Sequence, residues 1–342
     1  VRAGASERRG PDRPPAALAA AEQRLLEAAQ RDLALVPRPF ARLARRLGGD
    51  EAEVLATLAS LRERGVIDRV GPVLEPRACG ASTLAALAVP EAHLEEVAAA
   101  VNRHPEVNHN YAREHRFNLW FVLTAASAGR VARALAAIEA RTGCTPLDLP
   151  MTRAFHVDLG FCAGRDPGAA PRPPSKPAPL APAARRVVLA CQDGLELIPR
   201  PYARLAERLG LPERTVLETL AAALAGGAIK RIGAVVHHRA LGLRANAMVV
   251  WAVPDRELDR VGRRLARSPA VSLCYARRPS APRWPYNLYC MIHARERREA
   301  RARLAAASAR AGLERYPREI LFSTRCFRQR GARYLSRTAA DG

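Results

Sequence analysis

The chain says nearly the same thing twice. Residues 36–43 read VPRPFARL and residues 198–205 read IPRPYARL, and each is followed by a matching stretch, LRERGVIDRVGPV (61–73) against LAGGAIKRIGAV (224–235). Further on, NHNYAREHRFNLWF (108–121) answers SLCYARRPSAPRWPYNLYC (272–290), and TRAFHVDLGF (152–161) answers TRCFRQRGAR (324–333). A period of half the chain means a duplicated and fused unit, not a solenoid of short repeats. It also supplies an internal control. A residue kept in one half and lost in the other serves something only one half needs.

Each half opens with three short helical patterns. In the first, Ala21–Ala34 carries Leu25, Leu26, Ala29 and Leu33 at helical spacing. Pro37 and Pro39 stop that helix and start FARLARRLG, which ends at Gly48 and Gly49. Asp50 is an N-cap for the third helix, with Glu53 at the capping-box position, and Pro212-Glu213-Arg214-Thr215 opens its counterpart. Strand-like pairs follow, VIDRVGPVLE and AIKRIGAVVH, completing a winged helix-turn-helix pattern. The order then becomes β-α-β-β-α-β in both halves, a ferredoxin-like domain. The fold class is therefore α+β, a winged helix-turn-helix plus a ferredoxin-like domain in two tandem copies. The boundaries are a disordered tail (1–18), helix-turn-helix 1 (19–81), ferredoxin-like domain 1 (82–162), a Pro/Ala-rich linker (163–184), helix-turn-helix 2 (185–243), ferredoxin-like domain 2 (244–335) and a tail (336–342).

Composition excludes several classes. No apolar run approaches the roughly 18 residues of a membrane span, and the N-terminal stretch VRAGASERRGPDRPP has no apolar core of a secretory signal. A cytoplasmic protein is the expectation, with no membrane partner. The seven cysteines are scattered without a CxxC pair, against a zinc site or a disulfide framework. The net charge of +22 invites a nucleic-acid partner, but lysine occurs only at Lys176 and Lys230. Nearly all the charge is arginine, whose planar fork suits a polycarboxylate as well as a phosphate backbone.

A recognition helix needs basic and amide groups toward the groove. The helix in that position, Asp50–Ser60, carries Asp50, Glu51 and Glu53 and no basic residue, and PERTVLETLAAALAGG offers one Arg against two Glu. Carboxylates facing phosphates repel, so DNA binding is not expected.

Chemistry concentrates where the second and third strands of each ferredoxin-like domain meet. The first half has Tyr111-x-Arg113-x-His115-Arg116-Phe117-Asn118-Leu119-Trp120-Phe121; the second has Tyr275-x-Arg277, a Pro/Ser insertion, then Trp284-Pro285-Tyr286-Asn287-Leu288-Tyr289. Alternation puts Tyr111, Arg113 and His115 on one strand face, a wall for a ligand.

The helix-turn-helix joined to a βαββαβ domain resembles the Lrp/AsnC transcription regulators over both halves. The Tyr-x-Arg-x-His-x-Phe-Asn-Leu-Trp-Phe string, Phe155-His156-Val157-Asp158-Leu159-Gly160-Phe161 and the Trp-Pro-Tyr-Asn-Leu-Tyr-Cys-Met-Ile-His of residues 284–293 resemble the siroheme decarboxylase family, Lrp/AsnC-like proteins of the haem d1 and alternative haem routes. Its members usually come as two different subunits, and this chain is similar to a fusion of such a pair. The resemblance implies loss of CO2 from the C12 and C18 acetates of siroheme to give didecarboxysiroheme. It implies no cofactor beyond the iron of the substrate, and no metal held by the protein itself. It also implies a monomer with pseudo-two-fold halves, or a homodimer.

Siroheme bears eight carboxylates. Those that stay need cations, and the one that leaves needs apolar surroundings and an acid to protonate the carbon left behind. A strand histidine is ordinarily a polar surface residue. His115 and His156, however, lie in the strings that carry the resemblance, while the second half has Arg328 at the place of His156 and an insertion where His115 would fall. The resemblance makes these two the catalytic candidates, as proton donors or groups near the iron, and puts the working site mainly in the first half. Arg113, Arg116 and Arg153 would hold carboxylates, and Tyr111 and Trp120 would wall the macrocycle. Asn118 and Trp120 read equally well as turn and core residues. Tyr275, Arg277 and Trp284 are the second-half counterparts. His293, standing where the first half has Thr124, and the pair His237-His238 are further candidates. Arg38 and Arg200 read as turn residues. Two other readings stay open, an Lrp/AsnC-type DNA-binding regulator and a non-catalytic tetrapyrrole-binding protein.

Overall fold

The computed structural model describes residues 18–31, 33–157, 180–332 and 334. The expected N-terminal tail up to residue 17, Cys162, Asp158 to Phe161, linker residues 163–179 and the tail 336–342 lie outside these. The first half runs α1 (Ala20–Arg31), α2 (Pro39–Leu47), α3 (Glu51–Glu63), β1 (Ile67–Leu74), a single turn α4 (Pro76–Cys79), β2 (Ala81–Leu87), α5 (Leu94–Asn102), β3 (Val107–Arg113), β4 (Leu119–Ala125), α6 (Ala128–Thr142) and β5 (Leu147–Val157). The second repeats it as α7 (Pro182–Ala190), α8 (Pro201–Leu209), α9 (Glu213–Ala225), β6 (Ile229–Val236), β7 (Ala245–Trp251), α10 (Asp255–Ala266), β8 (Val271–Arg277), β9 (Leu288–Ala294), α11 (Arg297–Ala311) and β10 (Arg318–Gln329). The last residues of the expected linker are thus already helical.

The chain divides into two units, and each gathers the like domains of both halves. The first unit holds the two helix-turn-helix segments. Pro39 and Pro201 start α2 and α8, and both helices stop at a glycine in the left-handed region, Gly48 (φ 71) and Gly210 (φ 63). Asp50 caps α3, its carboxylate accepting from the Ala52 and Glu53 N–H groups. The expected wings are not hairpins: β1 and β6 are single strands that pair antiparallel with each other, Gly71 opposite Gly233. A Cβ at Gly233 would collide with the Ala29 carbonyl of α1, so this strand pair can lie under the helix only with glycine there. One apolar core serves both segments, including Leu26, Phe40, Leu58 and Leu61 from one and Val188, Tyr202, Leu205 and Leu220 from the other. The buried Glu75 fixes the end of β1. It takes Lys230 Nζ at 2.7 Å and Arg77 Nε at 3.2 Å. Burial pushes its carboxyl up, but the two cations outweigh this and hold it below the ordinary value.

The second unit holds the ferredoxin-like domains, whose two sheets join edge to edge. Strand order is β10-β3-β4-β2-β5-β8-β9-β7, closed into a barrel. Closure comes from the two long last strands. β5 pairs with β2 and then reaches β8; β10 pairs with β7 and then reaches β3. Neither sheet keeps an open edge there. Alternation gives each strand an outward face under helices and an inward face. The outward faces form two cores, one of β2, β3 and β4 with α5 and α6, the other of β7, β8 and β9 with α10 and α11. The inward faces share a third core, which includes Phe117, Trp120, Met248, Trp284, Tyr289, Met291 and Leu321. Eight strands leave an interior just wide enough for side chains or one small ligand.

Candidate active site

Inward positions fall into rows that run across the strands, and the duplication pairs each row with a counterpart. Arg113 pairs with Ser323; the ladder that sets Phe322 against Ala247 brings Ser323 beside Asn246, and Asn246 pairs with His293. The counterpart row is Arg277, Met151, Ser82 and Thr124. A second row runs Glu319, Val250, Tyr289, Tyr275 and answers Leu147, Ala86, Trp120, Tyr111. The Tyr-x-Arg pair is kept in both halves. Around it the polar groups Glu319, Ser323, Asn246 and His293 stand on β10, β7 and β9 of the second half. Their counterparts are Leu147, Met151, Ser82 and Thr124.

The two arginines are held alike. Arg113 Nη1 donates to the Leu321 carbonyl at 2.9 Å and Arg277 Nη1 to the Leu149 carbonyl at 2.7 Å. Each guanidinium lies over its own tyrosine, Arg113 5.7 Å from the Tyr111 ring and Arg277 4.9 Å from that of Tyr275. Burial pushes the Arg277 guanidinium down from its usual value and the Tyr275 hydroxyl up. The buried Nε of Arg277 has no protein partner. The Tyr111 hydroxyl donates to Gln329 Oε1 at 3.1 Å.

His293 is buried, and its Nδ1 lies 2.9 Å from Ser272 Oγ. The Ser272 hydroxyl donates its one proton to the Met291 carbonyl at 3.1 Å. The imidazole is therefore the donor at Nδ1, and its lone pair is on Nε2. Burial, with Arg113 second, lowers its pKa to about 3, so His293 is neutral near neutral pH.

His115 differs in its place in the fold and in its hydrogen bonding. β3 stops at Arg113, and the chain turns as His115 N–H donates back to the Arg113 carbonyl at 3.0 Å. His115 therefore stands in the loop at the barrel mouth, not on the strand face with Tyr111 and Arg113. Its Nδ1 accepts from the Phe117 N–H at 3.0 Å, which leaves the proton of the neutral ring on Nε2. The ring packs edge-on against Trp284 at 5.3 Å, and Trp284 meets Tyr286 at 4.9 Å. Trp284 Nε1 donates to the Tyr289 hydroxyl at 2.7 Å, and the Tyr286 hydroxyl reaches Glu319 Oε1 at 3.4 Å. Burial lowers the His115 pKa, Glu319 opposes that shift and Arg116 adds to it.

The remaining candidates divide. Trp120, Tyr275 and Trp284 belong to the interior, and Trp120 Nε1 donates to the Phe117 carbonyl at 2.6 Å. Arg116 is exposed; it donates to the Arg283 carbonyl at 2.8 Å and lies over Phe117. Asn118 is structural, trading hydrogen bonds with the Val89 backbone at 2.8 and 2.9 Å, and Asn287 does the same with Val253. Arg153 is on the outward face, ion-paired with Asp259 of α10. His156 is buried opposite Cys274, whose thiol packs outward against the Gly262 carbonyl. The bulge before it leaves Phe155 and His156 together on that helix side. Arg38 and Arg200 sit in their turns, ion-paired with Glu51 and Glu213, in the other unit, as is His237; the His238 side chain lies outside the description.

Sequence reasoning missed Glu319, Ser323, Asn246, Ser272 and Tyr289. The signal was present: aligning LDLPMTRAF with EILFSTRCF sets Glu319 on Leu147 and Ser323 on Met151. No helix among the described residues is long and apolar enough to cross a membrane.

Comparison with known proteins agrees with this architecture. A family model for the AsnC-like ligand binding domain matches residues 79–156 and 240–328, and one for the siroheme decarboxylase NirDL-like HTH domain matches 22–67 and 184–229. The siroheme decarboxylase NirDL subunit of Paracoccus denitrificans is 47% identical over 311 residues, 90% of this chain and 95% of that protein. The crystal structure of the siroheme decarboxylase NirDL superposes with a TM-score of 0.67 at 33% identity, covering 94% of this chain and 96% of that one. Its co-complex with an iron-uroporphyrin III analogue gives a TM-score of 0.66 over the same shares. On this likeness over nearly its whole length, and with both halves present in one polypeptide, the chain belongs to the siroheme decarboxylase family in its fused NirDL form.

Proposed function

We propose that the protein is a carboxy-lyase that decarboxylates siroheme, removing the C12 and C18 acetates as CO2 in haem d1 or alternative haem biosynthesis, with the iron of the substrate as the only metal involved. The carrying observation is the 47% identity across 95% of the Paracoccus denitrificans enzyme. The barrel interior adds the chemistry. Arg113 and Arg277 bring two guanidiniums to a wall rich in aromatic rings, suited to a flat macrocycle edged with carboxylates. The leaving acetate is favoured to react against the apolar part of that wall, where its charge is poorly solvated and the dispersed charge of the transition state is penalised less.

The step takes one proton. The bond from the methylene carbon to the carboxylate breaks, CO2 departs, and the electron pair left behind takes a proton to become a methyl group. His293 is a poor source, being neutral with its lone pair on Nε2; its role is to accept a hydrogen bond and fix orientation. His156 stands on the helix side of β5. The acid is therefore His115. Protonating it must break the Phe117 N–H bond to Nδ1, which makes its imidazolium a strong acid at the barrel mouth. The same bond argues against His115 as an iron ligand, because ligation through Nε2 would put the proton on Nδ1, where Phe117 already donates.

Anaerobic incubation with siroheme, followed by mass spectrometry of the tetrapyrrole, tests the reading. Loss of two CO2, abolished in His115→Ala, is the expected result. Siroheme bound but unchanged after long incubation would make the protein a tetrapyrrole carrier instead.

A further inference from the structure

Among described strand residues turned into the barrel, Glu319 carries the one carboxylate. Asp148, the other acid on the barrel strands, faces outward and accepts from Thr83 at 2.6 Å. An inward carboxylate is costly in a site meant for a polyanion, because every retained carboxylate of siroheme is repelled by it. The first half has Leu147 at this position, so the barrel does not require an acid there. Glu319 also sits beside the mouth aromatics. It opens the row that continues through Val250 to Tyr289, and it accepts the Tyr286 hydroxyl. Through Trp284, Tyr286 stands next to His115.

We propose that Glu319 is a positioning residue of the decarboxylation site, and that with Tyr286 it forms the counter-charge that lets His115 take up the proton it delivers to the substrate carbon. The site is then composite, its acid from the loop of one half and its counter-charge from the last strand of the other. This rests on the siroheme decarboxylase reading. The charged and titratable groups around His115 are few. Arg116, in the same loop, opposes protonation. Glu114 is ion-paired with Arg297 of α11, and Arg283, in the facing loop, donates to the Thr145 and Pro146 carbonyls. Tyr286 has its hydroxyl pushed up, chiefly by burial and then by Glu319, and stays neutral. Glu319 is the one of these groups that favours the imidazolium. In the step, His115 passes its proton to the carbanionic carbon as CO2 leaves, returns neutral, and takes a proton from water for the next acetate.

The test uses the full-length protein. The His115 titration is followed by NMR without substrate, and decarboxylation is followed against pH, for wild type, Glu319→Gln and Glu319→Asp. In Glu319→Gln the His115 midpoint should fall, the limb of the kcat profile should move with it, and kcat near neutral pH should drop on the order of 3- to 10-fold, the protonated fraction lost with about half to one pKa unit. KM should not rise, and Glu319→Asp should recover part of the loss. An unmoved midpoint in both folded variants overturns the coupling. A moved midpoint with an unchanged pH profile overturns the catalytic role. If wild type leaves siroheme intact while the midpoint still moves, the functional reading fails and the coupling does not.

Discussion

Replacing His293 by Thr, the residue its counterpart Thr124 already is, should flatten the acid instability of the barrel. The folded imidazole is held near a pKa of about 3, by burial and then by Arg113, against an ordinary 6.5. A base with a depressed folded pKa binds its proton more readily in the unfolded chain. Its contribution is therefore neutral to stability above the unfolded value and destabilising as pH falls through the window from 6.5 to about 3. At about pH 4.5 some two units of that window have been crossed, which makes the His293 share about 3 kcal/mol relative to neutral pH. Thr removes this term, although it also loses the bond to Ser272 and leaves a smaller side chain. The expected signature is thus a crossing. Wild type is the more stable at neutral pH, and the gap closes or reverses by about pH 4.5. Urea unfolding followed by tryptophan fluorescence reads the right unit, since Trp120, Trp251 and Trp284 are all buried in the barrel. Parallel pH dependences in the two proteins would refute the assignment of a buried His293 held neutral by a depressed pKa.

Two further substitutions test the frame. Lys230→Met leaves Glu75, 2% exposed, with Arg77 as its remaining ion-pair partner. A broken buried pair costs about 3–5 kcal/mol, and the surviving cation puts the expected loss near the lower end, read by circular dichroism during denaturation. Because the Glu75 carboxyl is held below its ordinary 4.5, its contribution is full above that value and lost as pH falls, so wild type and variant should converge in acid. Gly262→Ala should destabilise the barrel by about 1–3 kcal/mol through overpacking, because the new methyl would overlap the Phe155 ring; adding Phe155→Leu should recover part of it, and no recovery would remove Phe155 as the cause.

Much of the fold is legible in the sequence because the signals are local. The helix stops at Gly48 and Gly210, the cap at Asp50 and the strand–helix order of both halves are set by residues within a few positions of each other. Pairing is not local. Nothing in VIDRVGPVLE says that its partner is AIKRIGAVVH, or that β5 and β10 leave their own sheets to close a barrel. The candidate site follows the same division. Tyr-x-Arg announces itself as a short string in both halves, whereas Ser323, Asn246 and His293 become neighbours only through ladders across three strands. Alternation was carried too far at His115, where the strand ends two residues early, and was broken at His156 by a bulge that strand periodicity does not register.

The divergence between the halves sorts residues by job. Features present twice hold the frame or meet charge wherever it falls: Asn118 and Asn287 on the strand backbones, Arg113 and Arg277 on facing carbonyls. Features present once gather on one arc, Glu319, Ser323, Asn246 and His293, with His115 at its mouth. A symmetric pair of identical subunits would repeat that arc twice and offer a flat substrate two equal walls. Fusing two diverged copies puts Glu319, Ser323 and an imidazole on one side and the apolar Leu147, Ala86 and Met151, with the small hydroxyls of Ser82 and Thr124, on the other side of the same barrel. Decarboxylation wants that contrast, because the carboxylates that stay need cations and hydrogen bonds while the one that leaves reacts best where solvation is poor. The expectation that puts the working site mainly in the first half reads its histidines without the strands that face them. On the proposed reading His115 comes from the loop of one half and Glu319 and His293 from strands of the other, so the site draws on both.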